Sequence, residues 1–132
     1  MRFLLDTNTC IDFLNGKSEK LKHKFEEITD FDIVLCSIVK AELYLGVEKS
    51  KNKNRNKTKL ETFISNFQSL GFLDDEAKVY AEIRNELETK GEIIGPNDLL
   101  IASIAKSNNL ILVTHNVKEF YKIEGLKVED WH

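Results

Sequence analysis

The sequence predicts an α/β domain with a central parallel β-sheet of about four to five strands flanked by α-helices. Two observations predict it. Short apolar runs suited to buried strands alternate along the chain with longer stretches in which apolar residues recur every three or four positions. Parallel neighbours need crossover helices, so strands that alternate with helices imply a parallel sheet. The 132 residues fall within the usual size of one domain, and residues 1–132 are expected to form a single one.

The elements follow in order. Residues 2–5 form an apolar run ending at Asp6, too short for a helix core and suited to a buried strand. Ser18 is placed to cap a helix whose Leu21, Phe25 and Ile28 share one face. Ile33 to Cys36 is continuous and rich in branched side chains, a second buried strand. Ser37 then opens a helix carrying Val39, Leu43 and Val47, and Leu60, Phe63, Ile64 and Phe67 mark another. After Gly71 the pair Phe72–Leu73 is expected to form a short third strand. From Asp75, the positions of Tyr80, Ile83 and Leu87 continue helical spacing to Gly91, a suitable C′ residue. Gly95 and Pro96 open a helix from Asn97 to about Lys106, Asn108–Asn109 closes it, and Leu110 to Val113 is a strand followed by a short tail.

Composition excludes several classes. With 42% hydrophobic and 31% charged residues, one proline and six glycines, the chain is neither collagen-like nor low-complexity nor disordered. Its uncharged, largely apolar stretches, such as Ile33 to Val39 and Leu99 to Ala105, fall far short of the roughly 18–20 residues that cross a bilayer. Asp6 interrupts the first apolar run before a signal-peptide core can form, so the cytoplasm is the expected compartment and no membrane is involved. Cys10 and Cys36 lack ligand or redox spacing and read as reduced, buried thiols.

Net charge is −3, which at face value argues against a nucleic-acid binder. The distribution says otherwise. Lys49, Lys51, Lys53, Arg55, Lys57 and Lys59 crowd into one stretch without an acid, leaving 13 of the 19 basic residues to face all 22 acids elsewhere. These six side chains can position RNA phosphates; the competing reading is a solvated loop. No aromatic residue interleaves with them, so the strip offers no stacking platform for bases.

In a parallel α/β sheet, ligands bind beyond the carboxyl ends of the strands. Asp6 ends the first strand, and Glu42 lies five residues into the helix after the second, about 7.5 Å along its axis. Asp98 sits in the first turn of a helix whose N-terminus returns to the same edge, and Asn116 and Glu119 follow the last strand. Each has an ordinary alternative: Asp6 as a helix cap, Glu42 as a solvated residue, Asp98 as a partner of the helix dipole, Glu119 as an ion pair with Lys118 or Lys122. If the acids cluster, two carboxylates about 4 Å apart repel by roughly 4 kcal/mol at an effective dielectric of 20, and a cation must separate them. His23, His115 and His132 are scattered in the sequence, so an all-oxygen site for Mg²⁺ or Mn²⁺ fits better than zinc. Metal-dependent phosphodiester hydrolysis is the reaction class that such a site serves.

Five segments carry a family resemblance: LLDTN (Leu4 to Asn8), VKAELYLGVEKS (Val39 to Ser50), GPNDLLIA (Gly95 to Ala102), LVTHNVKEF (Leu112 to Phe120) and VEDW (Val128 to Trp131). Together, in this order and spanning the chain, they resemble the PIN-domain ribonuclease toxins of the VapC type. The ending is similar to the enterobacterial-like subgroup, whose members cut initiator tRNA in its anticodon region. The resemblance implies a type II toxin, an Mg²⁺ or Mn²⁺ cofactor, an RNA substrate (tRNA), a homodimer, and a VapB-type antitoxin that blocks the site and supplies operator DNA binding. It assigns Asp6 and Asp98 as metal-binding aspartates and Glu42 as the third acid, with Thr7 and Asn8 orienting Asp6 and Thr114 preceding the fourth position. Many PIN domains have an aspartate where this chain has Asn116. Either three acids suffice or Glu119 contributes through a bridging water.

Two other function classes share features of this sequence. A phosphohydrolase of the haloacid-dehalogenase type also begins with an aspartate ending strand one, but expects a second where this chain has Asn8. An interaction module could use the acidic rim to bind a basic partner without catalysis.

Overall fold

The computed structural model describes residues 1–132. Its elements are β1 (Phe3–Leu5), α1 (Thr7–Leu14), α2 (Glu19–Glu27), a 3₁₀ turn (Asp30–Asp32), β2 (Ile33–Cys36), α3 (Ser37–Glu48) and α4 (Lys53–Ile64). They continue with β3 (Gln68–Leu70), α5 (Asp74–Lys90), α6 (Pro96–Ser107), β4 (Ile111–Val113), α7 (Val117–Phe120) and β5 (Val128–Glu129). The five strands form one all-parallel sheet in the order β3-β2-β1-β4-β5. The order reverses at β1, which lies centrally between β2 and β4. Asp6 therefore leaves the sheet at the crevice where doubly wound folds bind ligands.

Local chemistry fixes the elements. All four residues of β2 and all three of β4 are buried, as continuous apolar strands covered on both faces require. Six residues of α6, Leu99 and Ile101 to Ala105, are buried, so this helix is nearly enclosed. Ala102 and Ala105 keep it slim, and the buried Ser103 satisfies its hydroxyl by donating to the Leu99 carbonyl at 2.7 Å. Pro96 stands at its first position. Helix α5 ends at Gly91, whose φ of 68° lies in the left-handed region that closes helices. At its other end the buried Glu76 accepts from the Leu73 backbone N–H at 3.0 Å and from Ser107 Oγ at 3.1 Å, tying the start of α5 to the end of α6.

Three expectations are corrected. The third strand lies at Gln68–Leu70 and not at Phe72–Leu73. It is an edge strand, held by pairing Val34 to Gln68 through Cys36 to Leu70, and its exposed Gln68 and Ser69 conceal it. Phe72 packs edge-on against Tyr80 at 5.9 Å, while Leu73 is exposed. Helix α4 starts at Lys53, so most of the basic strip forms its first turns rather than a loop, and the helix stops at Ile64 before Phe67. The tail contributes a fifth strand, Val128–Glu129. No helix is long and apolar enough to cross a membrane.

Candidate active site

Asp6 is buried and caps α1: its extended backbone and its Oδ1, which accepts from the Thr9 N–H at 2.9 Å, start the helix. The cap occupies Oδ1 and leaves Oδ2 free for a ligand. Glu42 and Asp98 are half-buried, Glu42 in the second turn of α3 and Asp98 in the first turn of α6. Glu119, half-buried on α7, reaches the same space. Burial pushes the Asp98 carboxyl above the ordinary aspartate range, and the charges of Asp6, Glu42 and Glu119 push it further, so the four acids share one field. Neither Asp6, Glu42 nor Asp98 has a basic partner; only Glu119 pairs, with Lys122 Nζ at 3.6 Å, in a half-exposed contact of little energetic weight.

Such a donor set, all carboxylate oxygens with no internal counter-charge, fits Mg²⁺ or Mn²⁺. Both thiols are buried and their pKa values raised, Cys10 and Cys36 chiefly by desolvation, which makes them inert.

The supporting residues differ from expectation. The Thr7 hydroxyl donates to Glu42 Oε1 at 2.6 Å, so it bridges α1 to α3 and orients Glu42 rather than Asp6. Asn8 is exposed. Thr114 is fully buried, and its Oγ1 accepts from the Asn116 backbone N–H at 3.0 Å, shaping the turn from β4 into α7. Asn116 itself is exposed. Replacing Thr7 with Val is expected to weaken activating-metal affinity by about 10- to 100-fold, as loss of a group that orients a ligand does, and an Mn²⁺ titration of cleavage will measure it.

All six basic residues of the strip are exposed. Lys53 pairs with Glu48 at 3.8 Å, and Lys59 Nζ donates to the Leu14 carbonyl at 3.3 Å. A groove of about 340 Å³ between α1, α3 and α4 joins strip to rim. Ile11, Leu14, Leu43, Val47 and Leu60 line it, with Glu42 and Lys59 among its polar residues. Sequence reasoning missed this groove and a cluster beyond it: His115 and His132, remote along the chain, meet with ring centroids 4.5 Å apart.

A doubly wound parallel sheet with acids converging at its carboxyl edge defines the class, and residues 3–126 match the PIN domain family. Over 99% of this chain and 98% of theirs, the chain is 44% identical to the Ribonuclease VapC2 of Rickettsia felis and 40% identical to the tRNA(fMet)-specific endonuclease VapC of Salmonella typhimurium. The crystal structure of VapBC2 from Rickettsia felis, bound to a DNA fragment from their promoter, superposes with a TM-score of 0.91 at 43% identity, covering all of both chains. The chain belongs to the VapC ribonucleases of the PIN-domain family.

Proposed function

We propose that this chain is the toxin of a type II toxin–antitoxin pair, an endoribonuclease that cuts tRNA with the help of Mg²⁺ or Mn²⁺. The observation that carries this is the shared field of Asp6, Glu42, Asp98 and Glu119, in which only Glu119 has a basic partner. Asp6, Glu42 and Asp98 would hold the ion. When bound, it supplies activation of water and neutralises charge developing on the scissile phosphate. The Thr9 N–H fixes Asp6 and the Thr7 hydroxyl fixes Glu42, so two of the three acids are preorganised. Glu119 lies beside them on a short helix whose start is set by Thr114. No protein nucleophile is needed. The basic residues Lys49 to Lys59 would hold the RNA backbone beside the rim.

A chelation series tests the metal. EDTA is expected to abolish cleavage and excess Mg²⁺ or Mn²⁺ to restore it; activity indifferent to chelation ends the proposal. Mapping RNA ends after brief induction will show whether initiator tRNA is cut in its anticodon region, and light scattering of the purified toxin will test the homodimer.

The antitoxin, VapB-like and carrying the operator DNA contacts, would lay an apolar segment in the groove next to Glu42. Gly46 lies on the wall of this groove in the last turn of α3, and a Cβ added there meets nothing within 4 Å. Gly46→Leu should fill the groove, with a helix no less stable. Antitoxin affinity is expected to fall at least tenfold while the free toxin still cleaves RNA. Unchanged affinity by calorimetry would move the antitoxin elsewhere.

A further inference from the structure

The geometry points to a second metal site, formed by His115, Asp130 and His132 and suited to a borderline divalent transition ion such as Zn²⁺. It lies where the ends of β4 and β5 meet α1, and none of its residues belongs to the acidic rim. His115 Nδ1 donates to Asp130 Oδ2 at 3.0 Å, a proton that a bound ion would displace to solvent, and His132 Nδ1 is 3.3 Å from Asp130 Oδ1. The three potential ligand atoms lie within 4.8 Å of one another.

The polarity of His132 carries the inference. Its Nε2 is 2.8 Å from Asp12 Oδ2, and a carboxylate only accepts, so Nε2 bears the proton in this contact. In the neutral ring Nδ1 then presents a lone pair. That atom is buried without a hydrogen-bond partner, and its nearest neighbour is another acceptor, Asp130 Oδ1. A lone pair facing a carboxylate across 3.3 Å is unfavourable until a proton on Nδ1 or a metal ion lies between them. The arrangement is also the one that metal-binding histidines use, with the far ring nitrogen donating to a carboxylate that fixes tautomer and orientation. Asp12 is that carboxylate.

Two imidazole nitrogens and one carboxylate make three protein ligands, leaving one tetrahedral position for water. Imidazole favours Zn²⁺, Ni²⁺ or Cu²⁺ over Mg²⁺, so the site is chemically distinct from the all-oxygen rim. Asp130 Oδ1 accepts from the His132 backbone N–H at 2.9 Å, which fixes the carboxylate between the two rings. His115 is two-thirds exposed, so its ring can turn to close the gap that tetrahedral ligation requires. An ion there would staple the tail to β4 and, through Asp12, to α1.

Zinc binding to untagged protein in millimolar Mg²⁺, measured by equilibrium dialysis, tests the site. We expect one tightly held Zn²⁺ per chain, retained in Asp98→Asn and weakened at least tenfold in His115→Ala and in His132→Ala. Ring ¹⁵N shifts of both histidines should move on Zn²⁺ addition. Because His115 is exposed, its variant will fold even if the His132 variant does not. Failure to bind Zn²⁺, displacement of Zn²⁺ by Mg²⁺, or undiminished uptake in His115→Ala overturns the site. None of these results bears on the RNA-cleaving activity.

Discussion

Asp98→Asn should abolish RNA cleavage and growth inhibition, a loss of at least 100-fold in rate, while the folded protein persists. The substitution keeps the size of the side chain and removes the one charge that lies in the field of all three other acids. Stabilisation of developing phosphate charge by a bound divalent ion is worth several kcal/mol, which sets the scale of the loss. Folding should respond in the opposite direction. Because the folded state raises the Asp98 pKa, it binds that proton more tightly than the unfolded chain does. The parent therefore loses stability as pH rises through the ordinary carboxylate range, about 4, and the loss is complete above the raised value. Without metal at neutral pH, Asp98→Asn should melt above the parent. Half-exposure screens the effect, so the rise in melting temperature is small but of definite sign. Below pH 4 the two should converge. A variant as toxic as the parent would leave the acidic rim as an interaction surface without catalysis.

The residues that sequence made legible are those whose environment is uniform. Ile33 to Cys36 lies buried on both faces, and its unbroken apolar character is the direct consequence. Asp6, Glu42, Asp98 and Glu119 share one field, and a parallel sheet, whose strand ends all face one edge, makes that cluster possible from the sequence. What stayed hidden depends on pairing. Gln68 and Ser69 form a strand because β2 offers hydrogen bonds, not because their side chains favour one. Val128–Glu129 becomes a strand only in register with Leu112–Val113, and that pairing carries Asp130 and His132 to His115. Histidines that seem scattered along the chain are brought together by a two-residue edge strand. Thr7 misled for a related reason: it adjoins Asp6 in sequence, but the first turn of α1 turns its hydroxyl toward α3 and Glu42.

Trp131→Ala should be the most destabilising change outside the sheet. The indole is 4% exposed and meets Phe3 edge-on at 5.0 Å and Phe25 at 5.8 Å, while its Nε1 donates to Glu129 Oε1 at 3.0 Å. Truncating a buried tryptophan costs about 3–5 kcal/mol, a large share of a total near 5–15 kcal/mol. The melting temperature should fall by about 10–20 °C. Trp131→Phe, which keeps much of the apolar ring and loses the N–H, should cost far less. The damage should also be directional. Strand β5 is an edge held to β4 by the Leu112 N–H on the Lys127 carbonyl at 2.8 Å and the Thr114 N–H on the Glu129 carbonyl at 2.9 Å. Without the indole these two amides should lose hydrogen-exchange protection before those of β1 and β2. Thr114 sets the turn that carries Glu119, so cleavage should weaken at temperatures where the sheet centre is still folded. If the variant melts within 2 °C of the parent, or if all strands lose protection together, the tail does not act as a separately docked support for that end of the site.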